Sequence, residues 1–384
     1  MKQLDLTKFK NDGEILEYLK RLPRYKNSGL KSAYKRFLFF LTIIYYRFFN
    51  LDKPAFIVLV TNNSCDLKCT YCYGDYGART GYKDYSTKDL IRIIDELKTL
   101  GTRLLTMHGG ESLLRKDIGE LVNYAKLRGF YISFNTNGSL IPKRMHEIKA
   151  VDTMCISLDG REESHDKNRG KGTFKKVMAA IDVVLENNIP LVLHATLTKD
   201  NINDMEFLAE LAKEKKCRLM YSILYNADNI SDDKMTPSND EIRTIVAKIF
   251  ELKKKGYPIY YTDNVLKTTI EWPDYRVKSI REKDLPVEKG RTLIPCYHGR
   301  LKYQIDADGR VVTCWANNDP GAPNIKELGV AGAIKACHDK NDCRYCAFLA
   351  NNEHNGLLQL SPRNILSIML IHAADSLKIK TGKR

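Results

Sequence analysis

The sequence has no apolar stretch long enough to cross a bilayer. Its longest apolar and aromatic run, Phe37–Tyr46, is 10 residues, whereas a spanning helix needs ~20. No signal peptide is expected from residues 1–20, which are polar and hold no compact apolar segment. No short internal repeat or low-complexity segment is visible. Trp occurs only twice, and neither that nor the 21 Tyr points to a function. Acid is in deficit, with 47 Asp plus Glu against 62 Lys plus Arg and a net charge of +15. What is present is 384 residues, 43% of them apolar and 28% charged, with ten cysteines. These values exclude a disordered chain, a collagen-like chain and a small disulfide scaffold. The length fits one large domain and a smaller one. A chain without a secretion signal is expected in the reducing cytoplasm, where disulfides are rare. Ten cysteines therefore point to metal ligation or catalysis.

Five regions follow from the pattern. Residues 1–53 form a basic, amphipathic helical extension. Lys20, Arg21, Arg24, Lys26, Lys31, Lys35 and Arg36 fall together with no acid between them, directly before the apolar run. Two readings compete: a helix lying in a membrane interface, which the basic flank favours, and a helix packed on the main domain. Residues 54–225 alternate short β-branched runs with helical stretches. Strands are expected at 55–61, 102–107, 130–135, 153–158, 190–197 and 218–224. Helices are expected at 86–100, 116–128, 142–150, 174–187 and 205–215. Such alternation implies an α/β fold with a parallel sheet, open or curled into a barrel. Residues 226–290 are a less regular bridge with one clear helix at 240–255. Residues 291–350 are rich in cysteine, and residues 351–384 end in an amphipathic helix over 364–380.

Three cysteines, Cys65, Cys69 and Cys72, follow the first expected strand at C-x3-C-x2-C spacing. In a β/α barrel that is the end of the strands where active sites lie. A structural zinc site closes with four ligands, and a protein-held four-iron cluster also takes four cysteines. Three thiolates leave one iron open to a substrate. A zinc knuckle borrowing a fourth ligand such as His108 is the plainer alternative. The three cysteines, with aromatic Tyr71 before the last, resemble the signature of radical S-adenosylmethionine (radical SAM) enzymes. That resemblance implies a 4Fe-4S cluster on Cys65, Cys69 and Cys72 whose open iron chelates S-adenosyl-L-methionine. It also implies reductive cleavage to a 5′-deoxyadenosyl radical, hydrogen abstraction from substrate, and a reductant such as flavodoxin or ferredoxin.

Further motifs carry the same resemblance. Gly109-Gly110-Glu111 ends the second strand. Glycines permit close backbone approach, and Glu111 offers an acceptor for an ammonium group. The family's Pro after this motif is Ser112 here. Asn135-Thr136-Asn137-Gly138 follows the third strand and resembles the family's Thr-Asn-Gly turn. The run Ile156–Gly160, His165–Gly170 and Gly172–Phe174 is similar to members with a C-terminal cluster domain. The resemblance implies that Tyr71, Gly109, Gly110, Glu111, Asn135, Ser157 and Arg169 contact the cofactor. Arg suits a carboxylate through its planar fork. A surface salt bridge for Arg169, and a cap or turn for Asp159, are the plain readings.

In the second cysteine region, Asp308-Gly309 between two alternating segments signals a hairpin. The hairpin brings Cys296 and Cys314 together, and the Cys343-x2-Cys346 knuckle supplies two more thiols. The layout resembles the auxiliary-cluster domain called SPASM, or its shorter twitch form. A full SPASM domain has more cysteines after the knuckle, and residues 347–384 hold none. The resemblance therefore implies one auxiliary 4Fe-4S cluster on Cys296, Cys314, Cys343 and Cys346. A zinc ribbon fits the count equally. Cys337 either replaces a ligand or is a free thiol. Cys155 and Cys217 read as buried inert thiols.

The expected fold is a partial (β/α)6 TIM-like barrel with a small C-terminal iron-sulfur domain and the N-terminal extension. The expected function is oxidoreductase-type radical chemistry. The basic charge has three readings: a nucleic-acid partner, an anionic membrane surface, or a plain solvated surface. The basic block beside an aromatic run, and the terminal Lys378, Lys380, Lys383 and Arg384, suit peripheral membrane docking better than nucleic acid. A lipid or membrane-associated substrate, a peptide, and a small molecule to be dehydrogenated all remain open. So does a non-enzymatic zinc-binding regulator.

Overall fold

The computed structural model describes residues 1–76, 83–225, 234–284, 293–316 and 319–360. The strands are β1 Phe56–Val60, β2 Leu104–His108, β3 Tyr131–Thr136, β4 Thr153–Ser157, β5 Leu191–Leu197, β6 Arg218–Ile223, β7 Ser279–Arg281, β8 Lys302–Ile305, β9 Val311–Val312 and β10 Cys343–Cys346. The helices are α1 Asp12–Arg21, α2 Gly29–Phe48, α3 Thr87–Thr99, α4 Ile118–Leu127, α5 Ile141–Ile148, α6 Glu162–Arg169, α7 Thr173–Glu186, α8 Met205–Glu214, α9 Asn239–Lys254, α10 Asp263–Ile270, α11 Ile325–Asp339 and α12 Leu349–Leu358. The six strands and six helices expected up to residue 255 are all present. Local chemistry sets several of their ends. Ser86 and Asp89 form a reciprocal cap on α3, as Ser238 and Glu241 do on α9. Pro142 lies in the first turn of α5. The expected helix at 364–380 lies outside the described residues.

The main sheet runs in the order β6-β5-β4-β3-β2-β1-β8-β9. Strands β1 to β6 are mutually parallel. β8 then pairs in parallel with β1, Phe56 facing Lys302, so the sheet gains a seventh parallel strand from far along the chain. β9 folds back on β8, with Gln304 opposite Val312. This is the hairpin expected around Asp308-Gly309, and Gly309 takes φ +100° in its turn. β7 and β10 form a separate antiparallel pair. The sheet is an open barrel, consistent with the partial barrel expected.

The outward strand faces and the helices bury a continuous apolar core, including Ile57, Leu105, Ile132, Phe134, Ile156 and Leu193. The alternate residues face inward and are smaller or more polar, among them Thr106, Ser133, Cys155 and Ser222. They leave an open lumen, a cavity of about 1340 Å³, above the ~300–1,000 Å³ usual for ligand sites.

α2 covers the end of the barrel where the strands begin. Phe39, Ile43 and Tyr46 pack with Ala55, Phe56, Tyr297, Leu301 and Leu358. Phe39 and Phe40 reach the lumen. Lys35 is turned inward, its Nζ donating to the carbonyls of Lys126 at 3.2 Å and Phe130 at 3.0 Å. The opposite face of α2 is also apolar, yet exposed. Leu30, Tyr34, Phe37, Leu41, Ile44 and Phe48 recur at alternating spacings of four and three, which places them on one stripe. Leu30 is 78% and Phe48 81% exposed. One face thus packs on the barrel, as the second reading of this run expected, while the other is left bare. Among the described residues no helix is long and apolar enough to cross a membrane.

Candidate active site

Cys65, Cys69 and Cys72 lie in the loop that leaves β1, and all three line the lumen. The loop is held by its neighbours. Asp66 accepts from Asn137 Nδ2 at 2.8 Å and Ser139 Oγ at 2.6 Å, tying it to the turn after β3. The Thr70 N–H donates to the Asn168 carbonyl at 3.1 Å. The loop leaving β2 passes directly beneath. The Glu111 N–H donates to the Ser64 carbonyl at 2.8 Å. A Cβ on Gly110 would stand 2.1 Å from the Ser64 carbonyl oxygen, and one on Gly109 2.1 Å from Asn62 Oδ1. The glycine pair is thus required by contact with the protein's own cysteine loop.

Glu111 is 1% exposed and does not line the lumen. Its carboxylate accepts from the Leu113 N–H at 3.0 Å, Thr136 Oγ1 at 2.9 Å and the Asn137 N–H at 2.8 Å. Burial pushes its carboxyl up to about 7 despite those donors. The side chain proposed as an ammonium acceptor is thus already engaged in joining two loops, and Gly109 and Gly110 are the residues of this motif that face the cavity.

Arg169 ends α6 and is buried. Its fork grips Asp159, Nε to Oδ2 at 2.7 Å and Nη2 to Oδ1 at 3.1 Å. Nη1 points to Cys69 Sγ at 4.0 Å. Asp159 also accepts from the Thr196 N–H at 3.0 Å and from the Tyr71 hydroxyl. Burial alone would raise the Asp159 carboxyl, but Arg169 foremost holds it below its ordinary value. Asp159 is therefore a buried hub joining the cysteine loop to β4, β5 and α6, neither a cap nor a surface turn. The Arg169 pair is likewise internal, not a surface bridge. Tyr71, Asn135 and Ser157 line the same cavity. His194 lines it as well, bonded through Nε2 to Ser222 Oγ at 2.8 Å, and burial pushes its imidazole down to about 4. Sequence reasoning passed over His194, whose only signal is a polar ring on an inward strand position.

The second cysteine group assembles at the other end of the barrel. The Cys343, Cys346 and Cys314 side chains all act on the Cys296 thiol, which they and burial push well up. The Cys296 N–H donates to the Arg344 carbonyl at 2.7 Å, joining the loop before β8 to β10. Cys337 sits in the apolar core on α11, where burial foremost and Cys314 next push its thiol up to about 12. The thiols of Cys155 and Cys217 are raised to about 12 by burial too, and both lie along the lumen. All ten cysteines are free. Among the described residues no three His, Cys, Asp or Glu groups close around the position of a single metal ion.

The radical SAM superfamily profile matches residues 59–212. The Fe-coproporphyrin III synthase of Methanosarcina barkeri is 30% identical over 220 residues, 55% of each chain. The PqqA peptide cyclase of Granulibacter bethesdensis is 24% identical over 59% of this chain and 62% of that one. The chain thus spans little more than half the length of these curated relatives. The crystal structure of Streptococcus suis SuiB bound to S-adenosylmethionine superposes with a TM-score of 0.59 at 17% identity, covering 77% of this chain and 68% of that one. At that identity the likeness shows the fold. The family implies a 4Fe-4S cluster that binds S-adenosylmethionine. The first cysteine group, the glycine pair and Arg169 all fall inside the matched stretch, and residues 59–212 form a radical SAM domain.

Proposed function

We propose that the protein is a radical SAM enzyme acting on a substrate held in the barrel lumen. The observation that carries this reading is the convergence of Cys65, Cys69, Cys72, Gly109, Gly110 and Arg169, from two strand ends and the end of α6, on one cavity. Three thiols around an open space suit a cluster with one iron left free. Burial pushes the Cys65 thiol up to about 12, so its thiolate needs a cation beside it, and ligation to metal provides one. When bound, the cluster and S-adenosylmethionine supply one-electron cleavage of the sulfonium and hydrogen abstraction from substrate. The chain's own residues hold the parts in place. The Gly109-Gly110 backbone borders the space beside the Cys65 loop and would receive the amino end of the methionine. Asn135 and Ser157 present polar groups to the ribose or carboxylate. Arg169, fixed by Asp159, sets positive charge against the Cys69 sulfur. Cys296, Cys314, Cys343 and Cys346 would hold one auxiliary 4Fe-4S cluster.

The bare stripe on α2 supports a peripheral site on an anionic membrane surface, with Lys26 and Lys31 exposed at the start of that helix. It favours a lipid or membrane-associated substrate. The relative named as a peptide cyclase supports a peptide as the second reading. Anaerobic reconstitution with iron and sulfide tests the chemistry. Two clusters per chain and release of 5′-deoxyadenosine are expected. Replacing Cys65, Cys69 and Cys72 with Ala should abolish release and spare the second cluster. Zinc binding without cofactor cleavage would sink the assignment. Co-sedimentation with phosphatidylglycerol vesicles at low salt tests the docking. Wild type should pellet and a Phe37→Ser, Leu41→Ser, Phe48→Ser variant should not; wild type left in the supernatant refutes it.

A further inference from the structure

Lys302 opens β8 and is 6% exposed. Its Nζ bonds to His354 Nδ1 at 2.9 Å, which makes that ring nitrogen the acceptor. The ammonium also stands 4.7 Å from the centroid of the Phe56 ring. Both partners are neutral or only weakly polar toward it. Among the described residues no carboxylate pairs with Lys302, and the groups that favour its charge are three thiols, Cys314, Cys296 and Cys346. The hairpin register explains the arrangement. Ile305 faces Val311 and Gln304 faces Val312; carried two residues past the end of β9, that register brings Cys314 to the level of Lys302, and both residues line the lumen. A buried ammonium without a counter-charge is costly, and proteins seldom keep one without a partner.

We propose that Lys302 is the fixed counter-cation of the auxiliary cluster and raises its reduction potential. The inference rests on the reading of Cys296, Cys314, Cys343 and Cys346 as ligands of that cluster. A cluster on four thiolates is an anion, and adding an electron makes it more negative. A cation held beside it in a poorly polarisable site stabilises the reduced form more than the oxidised one. Net charge and neighbouring hydrogen-bond donors are the levers that set such potentials. His354 and Phe56, which line the same cavity, act as positioning residues that hold the ammonium in place.

The test is a redox titration of the reconstituted full-length protein followed by electron paramagnetic resonance. The auxiliary signal is the one that S-adenosylmethionine does not perturb. Lys302→Met and Lys302→Gln are expected to favour oxidation of that cluster by tenfold or more, a fall of ~59 mV or more for one electron. Lys302→Arg, which keeps the charge, should retain most of the wild-type value. A neutral variant that folds, by circular dichroism, but loads less auxiliary iron than the Arg variant supports the same role. Neutral variants with full iron content and an unchanged potential overturn it. Iron and sulfide counts that show no second cluster in the wild type overturn the ligand assignment itself, and this proposal with it.

Discussion

Replacing Asp159 by Asn is the most informative single perturbation of the barrel. The carboxylate is fully buried. It serves four donors: two from the Arg169 fork, the Thr196 N–H and the Tyr71 hydroxyl. Asn keeps the shape and one acceptor oxygen but removes the charge, and turns an amide N–H₂ toward a guanidinium or a hydroxyl. Breaking a buried pair from one side costs about 3–5 kcal/mol, because the other charge is left unpaired. Against a total stability of about 5–15 kcal/mol, that is a large share. With a urea slope of about 3 kcal/mol/M, the upper end of the usual range because the slope grows with chain size, the midpoint should fall by roughly 1–2 M. Urea unfolding of the metal-free protein, followed by circular dichroism, measures it. The pair Asp159→Leu with Arg169→Met should recover much of the loss, since neither charge is then stranded. The pH dependence has a definite sign. The Asp159 carboxyl is held below its ordinary value of 3.8, so its stabilisation is present above that pH and is lost as pH falls through the depressed value. Wild type and Asn variant should therefore converge in acid. A loss under about 1 kcal/mol at neutral pH, or a double variant no more stable than the single, refutes the account of Asp159 as a charge-bearing hub.

Two further outcomes follow from the packing. Gly110→Ala must displace the Ser64 carbonyl, which a Cβ would approach to 2.1 Å. It should cost about 1–3 kcal/mol and lower iron loading at the first cysteine group while sparing the second; equal loading at both would contradict the contact. Glu353, buried against the Thr262 N–H at 2.8 Å, has its carboxyl pushed up to about 7, chiefly by burial. A raised value means that stability is greatest below the ordinary 4.5 and declines as pH rises through about 7. Glu353→Gln should flatten that decline in thermal melts taken between pH 5 and 8, and an unchanged slope would refute it.

The strand and helix order was legible because each element writes its period locally. β-branched runs of five to seven residues alternate with apolar faces at helical spacing, and Ser86 and Pro142 mark the starts of two helices. α6 was missed because Glu162–Arg169 has no apolar periodicity. Tertiary contacts hold it instead, with Arg161 paired to Asp204 at 2.6 Å and Asp166 accepting from the Phe174 N–H at 2.8 Å. The cysteine spacings announced both groups of thiols. The work of Glu111 and Asp159 was hidden, since a carboxylate's partners lie on other strands and leave no trace beside it in the sequence. For the same reason nothing near Lys302 forecast its burial. The apolar run at 37–46 was visible, but not that α2 has two apolar faces, because either face alone accounts for half of the pattern.

The pairing of β8 with β1 has a consequence for synthesis. Phe56 meets Lys302 across that edge, so the first strand waits for a partner encoded far downstream. At roughly 5–20 residues per second, its hydrogen-bonding edge stays bare for on the order of 10–50 s after it emerges. A naked parallel edge is a template for the wrong neighbour. Yields at slow translation and high temperature should therefore be limited by this seam, and a chaperone that shields extended chain should help this protein more than one that merely accelerates helix docking.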